Sequence, residues 1–140
     1  MRISARCDYA CKALLELSLH WPNKVPLQIQ QISEKQQIPM RYLVQILIQL
    51  KRQGILQSSR GKQGGYNLAI SPSEIKLGEV IRLMSGPLLP VVDSAEKTSS
   101  IFKDIWQEAE GAVTKILDKV TFEEICKKAF ASKTTVVYQI

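Results

Sequence analysis

The sequence is poor in the residues on which most enzymes and metal sites depend. It has one histidine, His20, and three cysteines, Cys7, Cys11 and Cys126, whose odd number and spacing fit neither a disulfide framework nor a zinc site. It also shows no paired carboxylates and no nucleophile with a neighbouring base, so we predict that the protein is not an enzyme. His20 falls at the end of a predicted helix, where it is best interpreted as a capping or surface residue.

Cys7 and Cys11 lie four residues apart and therefore share one face of a predicted helix. Two thiols do not complete the coordination of most metals by themselves. We interpret them as small buried core residues and predict no metal and no cofactor. A redox role for the pair is left open.

Long apolar runs are also missing. No run approaches the ~20 residues of a membrane span, and charges interrupt the amino-terminal segment, so we predict a soluble, cytoplasmic protein without a membrane partner. Aromatic residues make up only 6% of the 140 residues, and apolar residues 45%. This composition suits one helix-rich domain, with room for a small appended element.

Positive charge is concentrated in the first half of the chain. Residues 1–70 contain ten Lys/Arg against three Asp/Glu, a net charge of +7, whereas residues 71–140 contain nine against ten, a net charge of −1. This asymmetry is typical of a polyanion-binding module joined to a neutral assembly module.

The stretch GILQSSRGKQGGYNL, residues 54–68, predicts a β-hairpin with a basic tip. Two alternating apolar-polar runs, residues 55–59 and 66–70, flank a Gly-rich turn. The glycines allow positive φ angles and a close approach to another surface, which suits a phosphate-lined groove. The candidate contact residues of the tip are Arg60, Gly61, Lys62, Gly64 and Gly65. Taken alone, such a turn is most often a solvated hairpin, and this one lacks the Gly-Lys-Ser/Thr of a nucleotide-binding loop.

Two predicted helices, residues 27–35 and 39–53, precede the hairpin. Helix, turn, helix and basic hairpin follow one another in a winged helix-turn-helix, where one helix enters the major groove and the wing touches the neighbouring minor groove. The predicted fold class is therefore mainly α with a small β-hairpin.

The helix at residues 39–53 has two distinct faces. Its buried stripe is predicted to consist of Leu43, Ile46, Leu47 and Leu50. The outer face of its first two turns would reach base edges, since arginine suits guanine and glutamine suits adenine. The candidate residues there are Met40, Arg41, Val44 and Gln45. The alternative is an ordinary amphipathic surface helix, which the neighbouring wing disfavours.

Helices are also predicted at residues 4–19, with Ser4 as cap and Tyr9 on the apolar stripe, and at residues 75–84. Residues 85–100 are rich in Pro, Gly and Ser and predict a loop. Residues 122–130 predict a last helix capped by Thr121. The tail, residues 132–140, is β-prone but isolated, which predicts disorder or an added strand.

Residues 101–120 predict one long helix with a continuous apolar stripe. Little other chain is available to cover this stripe, so we expect the helix to pair with its copy in a second subunit. Packing on its own domain is the alternative, and Gly111 marks a point of close helix approach. The candidate dimerisation residues are Ile101, Phe102, Ile105, Trp106, Ala109, Val113, Ile116, Leu117 and Val120.

Four segments resemble the Rrf2 (Rrf-two) family of bacterial winged-helix transcription regulators. They are MRIS with DYACKALLEL, PLQIQQISEKQQIPMRYLVQIL, LKRQGILQSSRGKQGGYNLA and EIKLGEVI. The match covers residues 1–85 in register and continues more loosely through the long helix. It divides the chain into a DNA-binding domain at 1–85, a loop at 86–100, a dimerisation helix at 101–121, and a final helix and tail at 122–140.

The resemblance implies a homodimer that binds a pseudo-palindromic operator in double-stranded DNA and regulates transcription, most simply as a repressor. Carried over by position, the recognition-helix contacts are Arg41, Tyr42 and Gln45, and the wing contacts are Arg60, Gly61, Gly64 and Gly65. Several relatives have glutamate where this chain has Val44, which leaves its operator sequence open. The alternative function is a winged-helix module that docks a partner protein instead of an operator.

The loop GPLLPVVDSAEKTSS departs from the pattern of the iron-sulfur members, which carry three cysteines there. It contains neither Cys nor His, so the usual cluster ligands are missing. The resemblance is therefore to the clusterless branch of the family. The effector stays open, as a partner protein or a small molecule.

Overall fold

The computed structural model describes the backbone of residues 2–89 and 99–138, and the side chains of residues 2–89 and 101–132. Its elements are α1 (Ala5–Leu19), α2 (Ile29–Gln36), α3 (Met40–Arg52), β1 (Leu56–Ser59), β2 (Gly65–Leu68), a 3-10 helix (Pro72–Glu74), α4 (Leu77–Ser85), α5 (Ser99–Leu117) and α6 (Phe122–Tyr138). The mainly α fold with a small hairpin is confirmed.

Helix α1 begins and ends where its sequence signals predict. The Ser4 hydroxyl accepts a hydrogen bond from the Cys7 N–H at 3.1 Å, which satisfies one of the free donors of the first turn. At the other end, the N–H of His20 caps the helix by donating to the Leu17 carbonyl at 3.3 Å. The capping prediction for His20 is thus confirmed.

Helix α2 begins two residues later than predicted, because Leu27 belongs to the hairpin. Leu27 and Tyr66 exchange N–H···O bonds of 2.9 and 2.8 Å and form an isolated antiparallel bridge beside β2. Gln28 then caps the helix, with its N–H donating to the Gln31 side chain at 2.8 Å. Gln37, at a φ of 54°, ends it.

Helix α3 supplies the centre of the core. All four residues of its predicted stripe, Leu43, Ile46, Leu47 and Leu50, have no solvent exposure. They pack with apolar residues of α1, α2, the hairpin and α4, and with Phe122 at the start of α6. Burial of this stripe fixes α3 in rotation about its axis, so its opposite face is held toward solvent.

Strands β1 and β2 form the predicted hairpin in antiparallel register, with Leu56 opposite Leu68 and Ser59 opposite Gly65. Leu56 and Leu68 are buried and anchor the base of the hairpin in the core. The strands differ slightly from the predicted runs. Strand β1 does not include Ile55, and strand β2 begins at Gly65 and does not include residues 69–70.

The loop predicted at residues 85–100 is shorter at both ends, because α4 includes Ser85 and α5 already begins at Ser99. Residues 86–89 are irregular, and residues 90–98 lie outside the described residues. Helix α5 ends at Leu117, so the prediction that it continues to Val120 is wrong. The Val120 carbonyl instead accepts from the Leu77 N–H at 2.8 Å. This pairing fixes the turn between α5 and α6 against α4.

Helix α6 is capped by Thr121 as predicted, with the Glu124 N–H donating to its hydroxyl at 3.3 Å. The prediction for the tail was wrong, because the helix continues to Tyr138. Residues 122–138 contain no Gly or Pro to stop it. A β-branched residue costs a helix only about 0.5 kcal/mol relative to Ala, far less than the ~3 kcal/mol of Pro, so Thr134, Thr135, Val136 and Val137 do not by themselves end the helix.

Within residues 2–89 and 99–138, none of the helices combines the length and apolar character needed to cross a membrane.

Candidate nucleic-acid interface

The first turns of α3 present a mixed apolar and polar surface to solvent. Met40, Tyr42 and Val44 are 38 to 42% exposed, although each is a large side chain on a helix whose other face is fully buried. Arg41 and Gln45 are exposed beside them. Five candidate residues thus share one accessible face, which can enter a groove without moving the core.

Arg41 is held in place by its neighbour. Its guanidinium carbon lies 4.8 Å from the centre of the Tyr42 ring, and its Nη2 donates to the Tyr42 hydroxyl at 3.2 Å. The Tyr42 ring in turn lies 5.8 Å, centre to centre, from the ring of Tyr9 on α1. Stacking of this kind limits the freedom of the arginine before any partner binds.

Tyr9 is a residue that sequence analysis missed as part of this surface. Its position on the helical repeat assigns it to the buried stripe of α1, and it does pack against the core. Its contact with Tyr42 depends on how α1 and α3 cross, which no pattern within either helix reveals.

The hairpin, or wing, is tied to both helices of the helix-turn-helix. Lys51 at the end of α3 donates from Nζ to the Ser58 hydroxyl at 2.5 Å. The Gln28 side chain at the start of α2 donates to the Lys62 carbonyl at 3.1 Å. The tip therefore has a fixed position relative to α2, with the side chains of Arg60 and Lys62 exposed.

The tip glycines have different roles. Gly61 has a φ of +102° and open space around it, so its backbone is accessible to a partner. A Cβ at Gly64 would lie 2.3 Å from the Ser59 carbonyl oxygen, and one at Gly65 would lie 2.3 Å from that of Leu27. Close contact within the chain itself therefore requires Gly64 and Gly65, a reason that the sequence pattern did not supply.

A cleft of about 640 Å³ separates the wing tip from the segment that leads into α2. Lys24 and Lys62 line it from opposite sides, together with Gln28 and Gln31. Sequence analysis did not include Lys24 or Gln28 among the contact residues. The Leu27–Tyr66 bridge is what brings them beside the wing.

Gln49 joins the middle of α3 to two other helices. Its side-chain oxygen accepts from Arg6 of α1 at 2.6 Å, and its nitrogen donates to the Leu83 carbonyl of α4 at 3.1 Å. The position of α3 is thus coupled to α4, the helix that leads toward α5.

A second exposed surface lies on α5. We define the α5 apolar surface as the five large apolar residues of this helix that are 48 to 67% exposed: Ile101, Phe102, Ile105, Trp106 and Ile116. The rings of Phe102 and Trp106 stack at 6.4 Å. Of the other predicted dimerisation residues, Ala109 is half-buried, and Val113 and Leu117 pack against the apolar cluster under α4.

The two neighbouring thiols lie in that cluster, with Cys7 fully buried and Cys11 half-buried. A hydrogen bond from Cys11 lowers the pKa of Cys7 to about 7, although burial opposes the change. The same hydrogen bond, with burial, raises the pKa of Cys11. Burial also raises the pKa of Cys126.

Comparison with known proteins assigns this winged helix-turn-helix protein to a family. The model of the family described as Rrf2, iron-dependent transcriptional regulator, matches residues 3–128. The chain belongs to the Rrf2 family. It is 30% identical over 125 residues to the HTH-type transcriptional regulator CymR of Bacillus subtilis, covering 89% of each chain.

Solved structures of Rrf2 proteins have the same fold. The structure of CymR, described as the global cysteine regulator of B. subtilis, superimposes with a TM-score of 0.80 at 27% identity, covering 91% of this chain and 98% of that one. The structure of T. potens IscR gives a TM-score of 0.77 at 30% identity, covering 92% and 88%. The protein is a transcriptional regulator of the Rrf2 family, and the prediction that it is not an enzyme is confirmed.

The family description names iron, but the described side chains do not fit an iron-sulfur cluster. Among residues 2–89 and 101–132, no three His, Cys, Asp or Glu side chains are grouped so that they could hold a metal ion. Clusters are usually held by four ligands, mostly thiolates. Cys7 and Cys11 offer two on one helix, and Cys126 belongs to α6.

Proposed function

We propose that this Rrf2 protein is a homodimeric repressor that binds a pseudo-palindromic operator and works without an iron-sulfur cluster. The observation that carries the proposal is the accessible face at the start of α3, where Arg41 is already held by Tyr42 on a helix that the core fixes. The proposed DNA contacts of this face are Met40, Arg41, Tyr42, Val44 and Gln45.

The wing contributes a second set of contacts. Arg60 and Lys62 are exposed at its tip, and Gly61 offers accessible backbone. Because Gln28 ties the tip to α2, the wing and the recognition helix would meet DNA as one rigid unit. We propose that Arg60 enters the minor groove and that Lys24 and Lys62 contact phosphates. Gly64 and Gly65 serve the wing by allowing its close packing.

The α5 apolar surface supports the homodimer. Five large apolar side chains on one helix form a patch of the kind that monomers rarely expose. Pairing of α5 with its copy would cover the patch and relate two recognition helices by a twofold axis. Two half-sites one helical turn apart would then match the two subunits.

Selection of bound duplexes from a random pool, followed by anisotropy titration, tests the proposal. We expect an enriched sequence with twofold symmetry, and an affinity that falls steeply with salt, with a slope of about −0.9 per neutralised phosphate. A promoter that carries the selected site should be silenced when the protein is added. Affinity that is indifferent to both sequence and salt would contradict DNA recognition.

The same α5 apolar surface supports a second candidate, a module that docks another protein. The selection experiment separates the two, because docking alone enriches no sequence. A stable protein partner isolated from cells, together with a failed selection, would favour this second function.

A further inference from the structure

Cys7 and Cys11 form a sulfur pair at the contact between α1 and α4. Cys7 is fully buried against Ile81 and Leu88, and Cys11 packs against the same cluster while remaining half-buried. The thiols of Cys7 and Cys11 are close enough for each to shift the pKa of the other, and the Ser85 hydroxyl at the end of α4 also lowers the pKa of Cys7. The DNA contacts and the dimerisation residues proposed above do not include this pair.

The helical spacing of the pair suits a bridging ion better than a disulfide. Residues i and i+4 of a helix have Cβ atoms about 5–6 Å apart. A disulfide needs a Cβ separation of about 3.5–4.5 Å, so Cys7 and Cys11 would have to distort α1 to form one. An ion between the two sulfurs fits the longer spacing, as it does for pairs of ligands at i and i+4 in other helical metal sites.

A third sulfur comes from the opposite helix. Met84 of α4 precedes Ser85 and, like Cys11, packs against the buried cluster of Cys7, Ile81 and Leu88. Its thioether is a neutral soft ligand. The neighbours Leu77, Ile81 and Leu88 are apolar and provide no oxygen or nitrogen side-chain ligand.

We propose that Cys7, Cys11 and Met84 form a binding site for one monovalent copper ion, Cu(I). Soft thiolate and thioether ligands select Cu(I), zinc and iron-sulfur clusters, and Cu(I) needs the fewest ligands of the three. Structural zinc sites have four ligands, and the described part of the chain groups no three Cys, His, Asp or Glu side chains that could begin such a set. The site is separate from the proposed DNA interface and does not rest on it.

Binding requires no electron transfer. Cu(I) replaces the two thiol protons, which leave to solvent, and the metal keeps its oxidation state. Two thiolates and one Cu(I) carry one residual negative charge. Cys7 lies in the first turn of α1, where the positive end of the helix dipole offsets this charge, and Ser85 donates a hydrogen bond.

A bound ion would fasten α4 to α1. The Ser4 and Ser85 hydroxyls already lie 3.1 Å apart at this contact, and the Leu83 carbonyl next to it binds Gln49 of the recognition helix. Copper at the sulfur site would therefore stabilise the contact on which the orientation of α3 depends.

Anaerobic titration of the 140-residue protein with Cu(I), in competition with a chromophoric Cu(I) chelator, tests the site. We expect one ion per chain and an X-ray absorption spectrum with sulfur as the near neighbour. Cys7→Ser and Cys11→Ser should abolish competition, and Met84→Leu should weaken it about tenfold, the lower range for a supporting ligand. Copper should also raise the Tm of the wild type but not of Cys11→Ser.

Cys126→Ser is the matched control, because it removes a thiol outside the pair and should leave copper binding unchanged. Circular dichroism of each apo variant checks folding, and Cys11→Ser, at the half-buried position, is the decisive variant if Cys7→Ser unfolds. Failure of the wild type to take copper from the chelator would overturn the proposal. So would equal losses in Cys126→Ser and Cys11→Ser, or a spectrum with only oxygen and nitrogen neighbours.

Discussion

The helix-turn-helix half and the long helix differ in what covers their apolar residues. The stripe of α3 is fully buried within its own chain, whereas Ile101, Phe102 and Ile116 on α5 are 59 to 67% exposed. The two helices have similar amphipathic patterns in sequence. The difference teaches that the core around α3 is complete within one chain, with Phe122 of α6 as a part of it, while α5 has a surface that a second chain would complete.

The sharpest test of this contrast compares Leu47→Ala with Ile105→Ala. Leu47 is fully buried, so its truncation should lower the free energy of unfolding by about 2–5 kcal/mol at any protein concentration. Ile105 is half-exposed, so its truncation should act through assembly and depend on concentration. Urea denaturation over a hundredfold range of protein concentration measures both. Concentration-independent losses of equal size would show that α5 is covered within one chain.

Charge placed on the α5 apolar surface should break the dimer. Trp106→Asp replaces one of the two stacked rings with a carboxylate beside Phe102 and should give monomers in sedimentation velocity. Affinity for a symmetric operator should fall about 10²-fold or more, because the two recognition helices no longer bind together. Gln107→Asp adds the same charge on the exposed opposite face of α5 and should remain dimeric. A monomeric Gln107→Asp would point to general destabilisation of the helix.

On the other half, Arg60→Ala tests the wing. Loss of a side chain that enters the minor groove should cost about 1–3 kcal/mol of binding free energy, measured by gel shift on the selected operator. Lys128→Ala removes an equal charge from exposed α6 and serves as the control. An unchanged midpoint for Arg60→Ala, or an equal loss in the control, would reject the role of Arg60.

Gly111→Ala probes α5 more gently. The position has no other atoms within 4 Å of an added Cβ, so the monomer should gain about 1 kcal/mol from higher helix propensity. Thermal unfolding of the Trp106→Asp background measures that gain. If Gly111→Ala, introduced alone into the wild type, weakens the dimer, the partner helix must approach closely at Gly111, as the sequence predicts.

A pH dependence of stability is also expected at the α1–α4 contact. The pKa of Cys7 is lowered to about 7 from an ordinary value of 9.0. Between these values the unfolded chain binds more protons than the folded one, so stability should rise with pH. Denaturation at pH 6.5, 7.5 and 8.5 should show this rise relative to Cys7→Ser. If the stability of the wild type and that of Cys7→Ser change equally with pH, the lowered pKa does not belong to Cys7.

The periodicity of apolar residues predicted most of the fold, because their spacing along a single helix identifies the face that is buried. The caps at Ser4 and Thr121, the stripe of α3 and the presence of the hairpin all follow from local chemistry. The extension of α6 to Tyr138 was missed for the same reason: residue preferences were weighed locally, and the continuing helix outweighed them.

Contacts between elements could not be predicted from the sequence pattern. The bridge from Leu27 to Tyr66 shortens α2, brings Lys24 beside the wing and makes Gly65 necessary. The stacking of Tyr9 on Tyr42 likewise joins two helices whose crossing the sequence does not state. Half of the proposed site, its exposed arginines and glutamine, was predictable, whereas the residues that hold them were not.

By itself, the sequence determined the order of the elements, the basic first half and the membership of the Rrf2 family, because these depend on neighbours along the chain. Tertiary structure alone decided which apolar residues of α5 remain exposed, which glycines the wing requires, and that Cys11 of α1 and Met84 of α4 pack against one buried cluster with Cys7. Those outcomes depend on distances between residues far apart in sequence, and only packing sets such distances.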